Sequence, residues 1–151
     1  MGKSKQDKSK DKFQVAVDYL TEYSGVRGAI IADNEGIVIA RSGPAEFDAE
    51  TFAAFALAVK ASIDEPLKEI ARPDVEQLTV KTVQDWITIA RLSPVILIVA
   101  AERHVDDLLS VRITRSLEMI STHIKAKYPA ILSRDKAGAV RSKKKSEGVH
   151  V

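Results

Sequence analysis

The chain lacks cysteine altogether and is poor in aromatic residues, which make up 5% of its 151 residues. The absence of cysteine excludes disulfides, thiolate metal sites and cysteine nucleophiles, and it favours a cytoplasmic location. No apolar run approaches the roughly 20 residues that are needed to cross a membrane. The N-terminus reads Met-Gly-Lys-Ser-Lys-Gln-Asp-Lys and has no apolar segment of the kind found in signal peptides.

Positive charge is concentrated at the two ends of the chain. Five Lys and two Asp give residues 1–12 a charge of +3, six basic and two acidic residues give 134–151 a charge of +4, and 13–133 carry −5. Both ends are poor in apolar residues, so we predict basic disordered tails flanking one domain at 13–133. An acidic domain argues against specific nucleic-acid binding. The tails are expected to be solvated; weak contact with an anionic surface or with an acidic patch on a partner are the alternatives.

Apolar periodicity predicts three helices and five strands. Strands are indicated by alternating or β-branched apolar runs, and helices by apolar residues three or four positions apart. Strands joined by short turns form antiparallel pairs. The prediction is an α/β (α+β) fold, in which a single five-stranded, mainly antiparallel sheet has helices on both faces. In chain order α-β-β-α-β-β-β-α, the predicted elements are 12–24, 26–33, 36–41, 48–71, 76–83, 86–92, 95–101 and 104–127.

The central predicted helix has a clear start and an unusual composition. Asp48 is a good N-cap, and Phe47 and Phe52 have the spacing of a hydrophobic staple. Pro66 is expected to kink or divide the helix. Residues 52–59 are apolar all round, although packing on one sheet face needs only about a third of the circumference. We therefore expect a second cover for this helix, and an open edge strand would also need a partner.

Groups that could carry out catalysis are scattered. His104, His123 and His150 stand apart from one another, so each is better interpreted as an ordinary core or surface residue than as a metal ligand or base. Asp106 and Asp107 suit the first turn of a helix, where carboxylates interact favourably with the helix dipole. Neither glycine-rich nucleotide-binding pattern occurs. We expect no enzyme activity, no cofactor and no metal; surface ion pairing is a simpler role for each arginine than that of an arginine finger.

Three segments, taken in order, resemble the Roadblock/dynein light-chain family. They are the hairpin 25–41, which begins Gly-Val-Arg-Gly-Ala-Ile-Ile-Ala-Asp-Asn-Glu-Gly, the alanine-rich helix 48–71, and residues 78–103, which end in Val-Ala-Ala-Glu-Arg. The resemblance implies a homo- or heterodimer whose third strands pair edge to edge and whose central helices pack side by side. The interface residues that it indicates are Phe52, Phe55, Ala56, Val59, Leu78, Val80 and Thr82.

The same resemblance implies a function. Many prokaryotic members bind and regulate Ras-like small GTPases, and eukaryotic relatives scaffold GTPase complexes or attach to dynein. We therefore expect a homodimer that docks on a Ras-like GTPase, and the polar residues predicted at the rim of that contact are Glu50, Lys60, Asp64 and Lys68. The alternative is a structural adaptor subunit of a multiprotein or motor complex that leaves the nucleotide cycle unchanged.

Overall fold

The structure, a computed structural model, describes the backbone of residues 3–127 and the side chains of residues 12–127. The chain divides into two units, Met1–Ile120 and Ser121–Val151, and the whole sheet belongs to the first. Among the described residues, no helix is long and apolar enough to span a membrane. The elements are α1 (Lys3–Thr21), β1 (Val26–Asp33), β2 (Val38–Ser42), α2 (Ala49–Glu69), β3 (Gln77–Lys81), β4 (Asp85–Leu92), β5 (Val95–Glu102) and α3 (Leu109–Lys127).

The five strands form one sheet in the order β2-β1-β5-β4-β3, and every neighbouring pair is antiparallel. This confirms the predicted α+β fold and places both strands that flank the central helix at sheet edges. Strand β5 lies in the middle, and all its residues from Val95 to Ala101 are buried. Its continuous apolar sequence is explained by this position, because side chains on both faces of a central strand are covered.

Helices cover both faces of the sheet, as predicted. One face presents Ile30, Ile96 and Ile98 to the alanines of α2 in a single buried cluster. The neighbouring residues point to the opposite face, because side chains alternate along a strand, and they are also buried. Helix α1 packs on β1 and β2 there. The first part of α3 lies beside α1, where the Ser116 hydroxyl donates a hydrogen bond to the Ala16 carbonyl over 3.1 Å.

Helix α2 begins as its sequence predicts. The Asp48 carboxylate accepts hydrogen bonds from the Thr51 amide and hydroxyl, at 3.2 and 2.6 Å. Both bonds lower the pKa of Asp48, so the capping carboxylate stays ionised at neutral pH. The Phe47 and Phe52 rings stack with centroids 4.8 Å apart, which confirms the staple. Phe47 rests on Gly28, where a Cβ atom would lie 2.5 Å from the ring, so any larger residue at this position of β1 would displace the ring.

Some element boundaries differ from the prediction. Helix α1 begins at Lys3 and not near residue 12, because lysine and glutamine are good helix formers and a helix can extend beyond the segment that apolar periodicity marks. Pro66 does not divide α2, which continues to Glu69; so close to the end, proline removes little of the helix. Helix α3 begins at Leu109 and not at 104, after a turn in which the Asp106 carboxylate accepts the Leu108 amide. The tail predicted at 134–151 lies outside the described residues.

Candidate interaction surface

Helix α2 covers mainly the β1, β2 and β5 part of the sheet. Its opposite flank, toward β4 and β3, consists of apolar residues three or four positions apart, as one side of a helix requires. On β3, Leu78 and Val80 are opposite Ile89 and Ile87 of β4, which belong to the buried cluster beneath α2. These residues of α2 and β3 are only half-buried. We call them the apolar strip, which comprises Phe52, Phe55, Val59, Ile63, Leu78 and Val80.

Five of the seven predicted interface residues lie in this apolar strip, and the other two do not. Ala56 is fully buried among the isoleucines of the sheet and offers no surface to a second chain, so its assignment to an interface is corrected. Thr82 follows β3, and its hydroxyl accepts the amides of Gln84 and Asp85 at 3.2 and 2.9 Å. It therefore closes the β3–β4 turn.

The two edges of the sheet differ in how they are covered. At β2, the Gln14 side chain of α1 donates a hydrogen bond to the Arg41 carbonyl over 2.7 Å, and the Thr21 hydroxyl bonds the Ser42 hydroxyl. Helix α1 thus contacts this edge at the C-terminal end of β2. A side chain that satisfies an edge carbonyl makes addition of another strand unfavourable.

Strand β3 offers an open edge. The Glu76 carbonyl accepts the Arg91 amide, and the Thr82 amide donates to the Asp85 carbonyl, each over 2.8 Å. Even-numbered positions therefore bond to β4, and the main-chain groups of the alternating positions point outward. The outward positions are Gln77, Thr79 and Lys81, whose side chains are exposed. No hydrogen bond from the described residues reaches their main-chain groups on this side, so β3 can accept another strand.

The predicted partner-binding residues lie at separate places along α2. Glu50, in the first turn, forms an ion pair with Arg41 at 2.9 Å. Lys60 and Asp64 pair with each other at 2.8 Å and line a small gap between α2 and β3. Lys68 is exposed in the last turn. The structure therefore does not gather these four residues into one patch, and the two in the middle border the apolar strip.

Two arginines of the described residues, Arg27 and Arg41, form ion pairs, which is the simpler role predicted for them. Arg27 pairs with Asp85 at 2.8 Å. The Arg112 guanidinium lies 4.2 Å from the centroid of the Tyr19 ring and also faces Tyr23. Desolvation, followed by the charge of Asp106, raises the pKa of Tyr23.

Within the described part of the chain, no three His, Asp or Glu side chains come close enough to hold a metal ion. The geometry favours binding through apolar surface and an open strand.

Comparisons with known proteins agree with this architecture. The family model of the Roadblock/LC7 domain matches residues 12–101. MglB of Myxococcus xanthus has a TM-score of 0.71 at 17% identity, covering 78% of this chain and 90% of that one. The gliding protein MglB of Thermus thermophilus gives 0.69 at 11% identity, covering 78% and 92%. A Roadblock/LC7 domain of Streptomyces avermitilis gives 0.66 at 16% identity, covering 74% and 96%.

No curated protein sequence matches the chain. At such low identities the structural likeness establishes the fold, while the family model covers more than half of the 151 residues. The chain is a member of the Roadblock/LC7 domain family.

Proposed function

We propose that this protein is a dimeric binding module that docks on a Ras-like small GTPase and regulates it. The observation that carries the dimer is the half-buried apolar strip beside the open edge of β3. Apolar surface of this kind is stabilised when a second copy covers it, and an exposed strand edge invites pairing. At the opposite edge, the C-terminal end of β2 already bonds Gln14 and Thr21 of α1. Strand β3 is therefore the edge at which a second copy pairs.

The outward main-chain groups select a register for this pairing. A two-fold axis perpendicular to the sheet keeps both α2 helices on the same face of the continuous sheet. Residues that oppose each other across the axis must then point to the same face, so their numbers are both odd or both even. Centring the axis on Thr79 sets Thr79 against its equivalent and Gln77 against Lys81 of the second copy. All three outward positions then form hydrogen-bonded pairs. Centring on Leu78 or Val80 leaves one outward position of each chain outside these pairs.

A single cysteine tests this register. The chain has no cysteine, so Thr79→Cys introduces the only thiol. Directly opposed residues in a hydrogen-bonded pair have Cα atoms about 5.5 Å apart, which is within the range that a disulfide spans. We expect mild oxidation to give a covalent dimer, measured by non-reducing electrophoresis and mass spectrometry. Gln77→Cys alone should stay uncrosslinked, but should crosslink when mixed with Lys81→Cys; ready crosslinking of Gln77→Cys alone would contradict the register.

The proposal of a GTPase as partner rests on membership of the family. Many prokaryotic Roadblock proteins regulate Ras-like GTPases, and this chain has no glycine-rich nucleotide-binding pattern of its own. In the proposed dimer, two α2 helices lie side by side and form one continuous platform. Residues Glu50, Lys60, Asp64 and Lys68 would stand at its rim. A partner lying across the two-fold axis would cover both halves, which gives two chains for each GTPase.

Nucleotide-dependent affinity tests the regulatory function. A regulator acts on a switch only through different affinities for its two states. We expect calorimetry with the cognate GTPase to give different dissociation constants for the GTP-bound and GDP-bound forms, with two chains per GTPase, and no binding of either nucleotide alone. Equal affinities would favour the structural adaptor. Absence of binding to any small GTPase of the source cell would reject regulation.

A further inference from the structure

A cleft of about 440 Å³ opens at the N-terminal end of α2. The Phe47 and Phe52 rings form its apolar part, and the Arg27–Asp85 ion pair lies across it. Phe52 also belongs to the apolar strip, so the cleft continues the surface through which the proposed dimer forms. We call it the N-terminal cleft.

Negative charge dominates the N-terminal cleft. Its lining contains three carboxylates, Glu46, Asp48 and Asp85, against one guanidinium. Asp85 pairs with Arg27, and Asp48 caps the helix through Thr51. Glu46 is exposed and has no ion-pair partner among the described residues. A cationic side chain with an apolar stem would complement this combination of carboxylates and phenyl rings.

The direction in which α2 runs relative to β3 indicates which part of the second copy lies near the N-terminal cleft in the proposed dimer. The helix starts beside the cleft, near the first residue of β4, and its middle passes Leu78, near which Lys60 and Ile63 line the small gap. The same gap reaches Val75 and Glu76, just before β3. Measured along the strands, a two-fold axis through Thr79 therefore falls near the middle of α2. The N-terminal end of one helix and the C-terminal end of the other then lie at the same end of the proposed dimer.

The C-terminal end of α2 carries exposed basic residues. Lys68 lies in the last turn, and Arg72 follows the helix. Ala71, with a φ of 57°, turns the chain back, and the Arg72 amide bonds the Leu67 carbonyl over 2.7 Å. This closed turn fixes the place from which the Arg72 side chain projects. Within the described residues Arg72 has no carboxylate partner, and its guanidinium bonds only the Ala71 carbonyl.

We propose that the N-terminal cleft receives Arg72 from a second copy of this chain, which pairs with Glu46. The inference rests on the proposed dimer and adds to it a charged contact at each end of the two α2 helices. The two-fold axis produces this contact twice. Since the apolar strip between the ends has no charge, the two charged contacts add charge complementarity to the arrangement that the two-fold axis sets.

Paired charge reversals test the contact. Glu46→Lys and Arg72→Glu each place like charges at both ends of their own homodimer. An exposed ion pair contributes up to about fivefold in affinity, so loss of two contacts raises the dimer dissociation constant by up to about 25-fold. A mixture of the two variants, however, forms a heterodimer with opposite charges at both ends. We expect sedimentation equilibrium to show weak homodimers, and native mass spectrometry with tags of different mass to show mainly the heterodimer.

The control reverses an exposed carboxylate on the other side of the sheet, Glu118→Lys in α3, and should leave the dissociation constant unchanged. If Thr79→Cys crosslinks but the reversals have no effect, the dimer stands and the Arg72 contact is wrong. If both reversals weaken the homodimer and mixing restores nothing, Glu46 and Arg72 do not meet and the contact is also overturned. A monomeric parent protein without a Thr79→Cys crosslink would reject the proposed dimer itself.

Discussion

Replacing Val80 with aspartate should convert the protein into a monomer that keeps its fold. Val80 is half-buried on the edge strand β3, so within one chain the new carboxylate can still reach solvent. In the proposed dimer, Val80 faces Leu78 of the second copy, and the carboxylate would be enclosed without a partner. The substitution acts twice across the two-fold axis. A cost of about 1–3 kcal/mol for each unsatisfied polar group gives a dissociation constant raised by roughly two orders of magnitude or more.

Sedimentation velocity at micromolar concentration measures dissociation of the dimer into monomers, and circular dichroism measures retention of the fold. The matched control is Val111→Asp, the same change at a residue of α3 that is 60% exposed. It should remain dimeric, because the first part of α3 lies beside α1, on the face of the sheet opposite α2. A dimeric Val80→Asp protein would place the interface elsewhere, whereas a Val80→Asp protein that is unfolded would assign Val80 to the core of one chain.

Much of the fold could be predicted because local pattern and tertiary packing agree. The apolar run Val95–Ala101 occupies the sheet centre, where both of its faces are buried. The hairpin before α2 turns at Gly36, whose φ of 87° suits glycine, as its polar connection predicts. Asp48 caps α2 as expected from its position before an apolar segment.

The functional surface could be predicted only in part. Residues 52–59 are apolar on every side, so their sequence carries no periodicity that tells inward from outward positions. In the structure Ala53 and Ala56 face the sheet, while Ala54 and Ala58 are exposed. The N-terminal cleft cannot be predicted from local sequence patterns, because it depends on strand pairing that brings together residues distant in sequence.

Enlarging Ala56 should therefore destabilise the fold of a single chain. Ala56 is fully buried between α2 and the isoleucines of β1 and β5. A leucine there needs space that the packed interior lacks, so α2 must move outward or the sheet side chains must leave their rotamers. Overpacking of this kind typically costs about 1–3 kcal/mol. We expect Ala56→Leu to lower the free energy of unfolding by that amount.

Folding and association are coupled in a dimer, so the measurement is best made in the Val80→Asp background, where dimer formation no longer contributes. Urea denaturation of Ala56→Leu is then compared with Ala54→Leu, which makes the same change two positions earlier on the exposed side of α2. Ala54→Leu should change the free energy of unfolding by less than about 0.5 kcal/mol. If Ala56 were instead an interface residue, as its sequence context suggested, both variants would unfold alike in this monomeric background. A selective loss for Ala56→Leu places the residue in the core, and the interface then depends on Phe52, Phe55 and Val59 on the flank of α2.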